Sequence, residues 1–288
     1  ALRNQEQPVH EVETLKELTE ESSRSLLVVD SVSVPLLIES EALEGRDVLI
    51  LYHMPPEKMA PDLLQRPGRF TRLTSLLSRS QIVVTGRRSA EHIATHFPSA
   101  KRVTQIPAGI NEAWQRKTRY RTRPQRLLVV ASLLRGKGYE RLLDALVKLN
   151  FNSWTLSIFG EDQLDQAYAE SIKGRFRRSG FDSRIRWNKT VSQATLNRAM
   201  CDADLMLVSS DFESYSMVTA EAIAAGLPVL STPVGEMEAF AMSGLVRYVE
   251  DFEPSRFAKA LSLLVRCPTA YQQFAYGAAK RRCTWLSW

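Results

Sequence analysis

Two carboxylates, Glu213 and Glu221, stand with seven residues between them around the start of a helical pattern. An apolar run, Leu205-Met206-Leu207-Val208, precedes them and leads into the polar loop Ser209-Ser210-Asp211-Phe212. After Glu213 a helix is expected over Tyr215 to Ala225, stopped by Gly226 and Pro228. Its first-turn amides, those of Tyr215, Ser216, Met217 and Val218, have no intrahelical acceptor and sit at the positive end of the helix dipole, so they suit a diphosphate. A carboxylate beside a phosphate is repelled by it, so Glu213 and Glu221 fit hydroxyl groups better, with Glu221 accepting from a ribose. Both can face one ligand lying over the helix start. Taken alone, the pair has a plainer explanation, in which Glu213 complements the dipole and Glu221 is a surface acid. Gly160, directly after the run Trp154 to Phe159, is another point where backbone can approach a ligand closely.

The elements that must position these residues are legible as a rhythm. Val9, Val12, Leu15 and Leu18 suggest an opening helix. Ser25–Asp30, Asp47–Tyr52, Gln81–Thr85 and Val103–Ile106 read as buried strands separated by helical patterns. The rhythm breaks in an Arg-rich stretch containing Lys117 and Pro124, with few aliphatics, and restarts at Arg126. Strands are then expected at Arg126–Ala131, Trp154–Phe159, Ile185–Trp187, Leu205–Val208 and Val229–Ser231. Helices are expected over Tyr139–Leu149 and, capped by Ser192, over a segment burying Leu196, Ala199, Met200 and Ala203. Near-continuous apolar strands alternating with helices predict α/β architecture with parallel sheets covered on both faces. Ligands in such sheets bind beyond the carboxyl ends of the strands, where the singled-out residues fall.

Composition is that of an ordinary globular chain: 288 residues, 44% hydrophobic and 24% charged. No apolar stretch is long enough to span a bilayer, and the first residues do not form a signal-peptide pattern. Three cysteines, Cys201, Cys267 and Cys283, without a CxxC pair, argue against a disulfide framework and for a reducing, cytoplasmic setting. His10, His53, His92 and His96 are scattered; His92 and His96 lack the flanking Glu of HExxH and are expected on a half-exposed helix face rather than at a metal. Net charge is +6, gathered at Arg116, Lys117, Arg119, Arg121, Arg123 and Arg126, and at Arg175, Arg177, Arg178, Arg184, Arg186 and Lys189. Solvated surfaces explain both clusters; attraction of an anionic ligand, or peripheral contact with an anionic membrane, is the sharper reading. No DNA or RNA module accompanies the charge, so nucleic acid is not expected as a partner.

The order strand, loop, Glu213, seven residues, Glu221-Ala222, then Ala225-Gly226-Leu227-Pro228-Val229 resembles the Glu-x7-Glu signature of the retaining glycosyltransferases grouped as family 4. The run Val129-Val130-Ala131-Ser132-Leu133-Leu134-Arg135-Gly136-Lys137-Gly138 is similar to that family's strand, basic loop and Lys-Gly pattern. By the resemblance, Lys137 stabilises charge on the departing nucleoside diphosphate, with Arg135 assisting because Ser132 stands where many members carry Arg. Gly160, Pro107-Ala108-Gly109 and Thr232-Pro233-Val234-Gly235 are further points of likeness; Glu236 departs from it by replacing a second glycine. His53, after the strand ending at Tyr52, resembles the histidine that members place against the transferred sugar.

The resemblance implies a GT-B fold: two Rossmann-like domains with parallel sheets facing across a cleft, the first incomplete. It divides the chain into a partial acceptor-side domain over 1–112, a basic linker over 113–125, a donor-binding domain over 126–275 and the start of a crossover helix over 276–288. Both ends are expected to be truncated. The function implied is retaining, metal-independent and cofactor-free transfer of a sugar from a nucleoside-diphosphate sugar to a glycan, lipid or small-molecule acceptor. A non-catalytic GT-B scaffold or nucleotide-sugar-binding subunit is the alternative, favoured by Ser132, Glu236 and the short first domain. An epimerase on the same fold is a further rival. A Rossmann oxidoreductase is poorly supported, because no GxGxxG follows a strand.

Overall fold

In the computed structural model the described residues are 25–40, 43–61, 65–110, 120–149, 151 and 153–279. The expected opening helix, Cys283, and much of the basic stretch before residue 120 and of the expected crossover segment lie outside them. The chain forms two compact units, Ala1–Pro107 and Ala108–Trp288.

The first unit contains β1 (Leu27–Asp30), α1 (Val34–Leu37), β2 (Val48–Tyr52), α2 (Pro56–Met59), α3 (Pro67–Arg79), β3 (Gln81–Val84), α4 (Arg87–His96) and β4 (Val103–Gln105). Its four strands lie in the order β1-β2-β3-β4, every pair parallel. Alternation sets the faces of β2: Val48, Ile50 and Tyr52 are buried. Leu73, Leu76 and Leu77 fall on one side of α3 and enter the same core. Pro67 opens α3, where a missing N–H leaves no intrahelical bond unmade.

His92 is more engaged than its spacing suggested. Its Nε2 lies 2.7 Å from Glu57 Oε1 and its Nδ1 3.0 Å from the hydroxyl of fully buried Tyr52. Burial, with the charge of Glu57, pushes the Tyr52 phenol far up, so it remains protonated and shares a hydrogen bond with Nδ1. Burial pushes the Glu57 carboxyl up too, yet hydrogen bonds from His92 and the main chain, with the charges of His92 and His96, bring it below its ordinary value. The three residues tie β2, α2 and α4 together. Only His96, stacked on His92 with ring centroids 4.3 Å apart, remains exposed.

The second unit contains β5 (Arg126–Val130), α5 (Tyr139–Val147), β6 (Thr155–Phe159), α6 (Gln166–Arg178), β7 (Ile185–Asn188), α7 (Gln193–Asp202), β8 (Leu205–Val208), α8 (Met217–Ala225), β9 (Val229–Ser231), α9 (Met237–Ala241), β10 (Val246–Tyr248), α10 (Pro254–Arg266) and α11 (Pro268–Ala279). Six parallel strands lie in the order β10-β9-β8-β5-β6-β7. From β5 the chain builds outward through β6 and β7, then returns to place β8 on the other side of β5. The strand order reverses there, and the crevice beyond the carboxyl ends of β5 and β8 is where such a sheet holds its ligand.

Every residue of β8 is buried, as an apolar run covered on both faces requires. Ser192 caps α7 by accepting from the amide of Thr195 at 3.3 Å. Asp204, fully buried, accepts from the amides of Gln125 and Arg126 at 3.1 and 2.9 Å and lies 3.7 Å from Arg121. Part of the first basic cluster is thereby tied to the protein's own interior. In the second, Arg175 pairs with Glu140 at 3.8 Å and Arg177 with Asp182 at 3.7 Å. Among the described residues no helix is long and apolar enough to cross a membrane.

Candidate functional site

Two loops leave the reversal point: residues 131–138 after β5 and residues 209–216 after β8. They are joined largely through main-chain atoms. Asp211 N donates to Gly136 O at 2.7 Å, and Ser209 Oγ donates to Lys137 O at 3.0 Å. Gly138 adopts a left-handed φ of 68°, and a Cβ there would lie 1.8 Å from Ser209 O, so only glycine lets the loops touch. Gly160 serves the neighbouring β6 loop in the same way, since its Cβ would lie 2.0 Å from Ala131 O.

Arg141, in the first turn of α5, braces the junction. Its guanidinium donates to Ser209 O at 2.6 Å, to Asp211 Oδ1 at 2.7 Å and to Phe252 O at 3.0 Å. Sequence reasoning missed Arg141 because its acceptors lie 68 to 111 residues away.

This junction brings Lys137 and Glu213 together. Lys137 Nζ lies 2.8 Å from Glu213 Oε1, with 30% and 18% of the two side chains exposed. Ser210 Oγ donates to the same oxygen, also at 2.8 Å. Lys137 thus arrives as a partly exposed ammonium whose charge is balanced by one acid, with donor capacity left over.

The helix after Glu213 begins two residues later than the spacing predicts. Ser216 takes φ 76° and ψ 70°, a left-handed conformation that ends the loop, and α8 starts at Met217. Ser216 is the only non-glycine residue with positive φ among the described residues. Such a residue costs roughly 1–2 kcal/mol, and strain of this kind gathers at ligand sites. Its carbonyl accepts from the amides of Thr219 and Ala220 at 3.0 and 3.2 Å. The amides of Met217 and Val218 are the first-turn donors without an intrahelical acceptor. The amides of Tyr215 and Ser216 belong to the loop instead.

The Tyr215 ring is buried edge-on against Phe240, its centroid 5.2 Å away, so Tyr215 meets the loop surface only through its main chain. Burial, and the charge of Glu236, push its phenol up to about 12. Glu236, in the place of a glycine, is itself buried and takes an ordinary φ of −93°, so nothing in the backbone demands glycine there.

Glu221 lies one turn inside α8, half-buried and without a side-chain partner among the described residues. Burial pushes its carboxyl up. Arg135 is exposed and stacks over the Tyr168 ring, 5.1 Å from its centroid, and not at the Lys137–Glu213 pair. His53 belongs to the first unit, at the carboxyl end of β2, its Nδ1 3.5 Å from Asp30 Oδ2 at the end of β1. The geometry therefore gathers Lys137, Glu213, Gly160 and the amides of Met217 and Val218 at one end of one sheet, with Glu221 a turn further along α8.

The profile of the glycosyl transferases group 1 matches residues 110–281. Lipopolysaccharide glucosyltransferase WaaG of Escherichia coli is 31% identical over 54% of this chain and 38% of its own length. The chain spans about one quarter to one half of the length of the curated relatives it matches. Among solved structures, sucrose-phosphate synthase of Thermosynechococcus elongatus superposes with TM-score 0.77 at 18% identity, over 95% of this chain and 72% of that one. HepE of Anabaena, solved in complex with UDP-glucose, superposes with TM-score 0.70 at 16% identity, over 88% and 71%. The fold shared with these structures is GT-B.

Proposed function

Starting from a chain that belongs to the glycosyl transferases group 1 family, we propose that it transfers a sugar from a nucleoside-diphosphate sugar to a hydroxyl acceptor with retention at the anomeric carbon. One observation carries the reading: a partly exposed lysine is paired with a carboxylate where the strand order reverses, at the end of the sheet where the helix after β8 begins.

Lys137 and the amides of Met217 and Val218 bind the diphosphate. As the bond from the anomeric carbon to the phosphate oxygen breaks, negative charge grows on that oxygen, and a fixed cation and dipoles stabilise it without reorganising. This electrostatic work needs no metal ion. The acceptor hydroxyl attacks from the face the diphosphate leaves. Its oxygen forms the new glycosidic bond, and its proton passes to the departing phosphate. Glu213 accepts a hydrogen bond from the donor sugar, and Glu221 accepts from the ribose. HepE, the fold relative solved with UDP-glucose, makes that donor the first to try. The acceptor is a glycan, a lipid or a small molecule.

The test is thermal shift with UDP, GDP, ADP and their glucose conjugates, on the parent protein and on Lys137→Ala. One nucleotide should raise Tm in the parent, and the rise should vanish in the variant. No rise with any of them would overturn the proposal in favour of a non-catalytic subunit.

A further inference from the structure

Two donors converge on a single oxygen of Glu213. Lys137 Nζ and Ser210 Oγ each lie 2.8 Å from Oε1, and Oε2 has no protein donor among the described residues. Ser210 is 2% exposed, and its own position is fixed from behind. Thr232 Oγ1 donates to Ser210 O at 2.6 Å, and Thr232, fully buried, is tied through its amide to Val208 O at 2.9 Å. The hydroxyl is thus a short, immobile donor built on the ends of β8 and β9.

Lys137 cannot serve as an equally constant anchor. On the reading above, its ammonium turns toward a diphosphate, and the same diphosphate repels Glu213. A carboxylate held by the lysine alone would lose its anchor when the donor arrives, at the moment its orientation matters. Ser210 is neutral, so its bond to Oε1 survives the arrival of the anion.

We propose that Ser210 is a positioning residue for sugar transfer: it holds Glu213 by Oε1 while Lys137 engages the diphosphate, keeping Oε2 available as an acceptor for a hydroxyl of the donor sugar. The inference rests on the donor site proposed above and adds to it what fixes the sugar-facing carboxylate. Its effect should be confined to the sugar. A nucleoside diphosphate without a sugar has nothing to offer Oε2, whereas misplacing a contact by about an ångström costs on the order of a hundredfold in rate.

The experiment uses whichever of UDP, GDP or ADP shifts the parent, together with its glucose conjugate. Calorimetry gives the affinity for each, and release of nucleoside diphosphate from the conjugate gives turnover. In Ser210→Ala the Kd for the nucleoside diphosphate should stay within about twofold of the parent, while turnover falls by about ten- to a hundredfold. Ser210→Thr, which keeps the hydroxyl, should recover much of that turnover. Thr232→Val, which loosens Ser210 without touching Glu213, should give a smaller loss of the same kind. Unchanged turnover in Ser210→Ala would overturn the role, as would equal weakening of nucleotide and conjugate, the mark of a general structural defect. If the parent binds no nucleotide, the donor site itself falls and this role with it; if the parent binds and Ser210→Ala matches it throughout, only the role of Ser210 falls.

Discussion

Replacing Glu213 by Gln should tighten the binding of a free nucleoside diphosphate while slowing sugar transfer. Gln keeps the shape of the side chain and its acceptor oxygen, so the bonds from Ser210 and Lys137 can persist; only the charge goes. With Glu213 Oε1 2.8 Å from Lys137 Nζ, and a phosphate oxygen at a similar distance on another N–H of the ammonium, the two anions stand about 5 Å apart. Unit charges at that separation repel by about 3 kcal/mol at an effective dielectric of 20 and by about 0.8 kcal/mol in bulk water. The pair is partly exposed, so a gain of roughly 1–2 kcal/mol, or about five- to thirtyfold in Kd, is expected, shrinking as salt is added. Transfer should fall by about tenfold or more, because a hydrogen bond to a charged acceptor is worth roughly 1.5–3 kcal/mol and the amide supplies a weaker one. Calorimetry at low and high salt, beside Lys137→Ala as the loss-of-cation control, measures the first effect. Unchanged or weaker nucleotide binding in Glu213→Gln would refute the placement of the phosphate at Lys137.

Three further outcomes follow from the loops and from α8. Gly138→Ala should cost about 3 kcal/mol or more in urea unfolding, combining left-handed strain with collision against Ser209 O, whereas Gly136→Ala, with φ 83° and nothing within 4 Å, should cost about 1–2; equal losses would refute the close approach. At Ser216 the Gly variant should be more stable than the Ala variant by about 1 kcal/mol, because both lose the hydroxyl contact to Thr219 Oγ1 at 2.9 Å and only Gly also loses the strain; the reverse order would refute the left-handed assignment. Glu221, raised by burial, binds protons more readily folded than unfolded, so it lowers stability as pH rises from the ordinary carboxylate range through its raised value. The Tm advantage of Glu221→Gln over the parent should therefore grow between about pH 4 and pH 7, while discrimination between a nucleoside diphosphate and its 2′,3′-dideoxy analogue is lost; a pH-independent Tm difference would refute the burial argument.

Local pattern exposed most of the frame and little of the contacts. Apolar runs such as Leu205–Val208 mark strands because both faces of the sheet are covered, and Gly226, left-handed at φ 73°, ends α8 where the sequence placed its stop. The start of α8 was misread because serine carries no signal for the left-handed conformation that Ser216 adopts. Lys137 and Glu213 could each be named from their surroundings, yet their ion pair depends on β8 returning to lie beside β5, a fact of strand order that no local window holds. His92 lies on a half-exposed helix face, as expected, but its partners were hidden for the same reason. Its spacing shows a helix face, but its partners Tyr52 and Glu57 come from β2 and α2.

The contacts that sequence could not reveal share a form, and that form bears on how the site works. Ser209, Asp211 and Gly136 join the two loops largely through main-chain atoms, and Arg141 grips main-chain carbonyls as well as Asp211. Main-chain acceptors are present whatever the side chain, so the junction imposes little on residue type except at Gly138, where the backbones touch. Side-chain identity is demanded instead at Lys137, Ser210 and Glu213, where a cation, a neutral donor and a carboxylate share one oxygen. A scaffold that only had to hold its loops together would gain little from leaving a partly exposed lysine beside a half-satisfied carboxylate. An arrangement that must meet an incoming anion and still keep an acceptor for sugar needs both, and needs a hydroxyl between strands β8 and β9 to stop one from following the other.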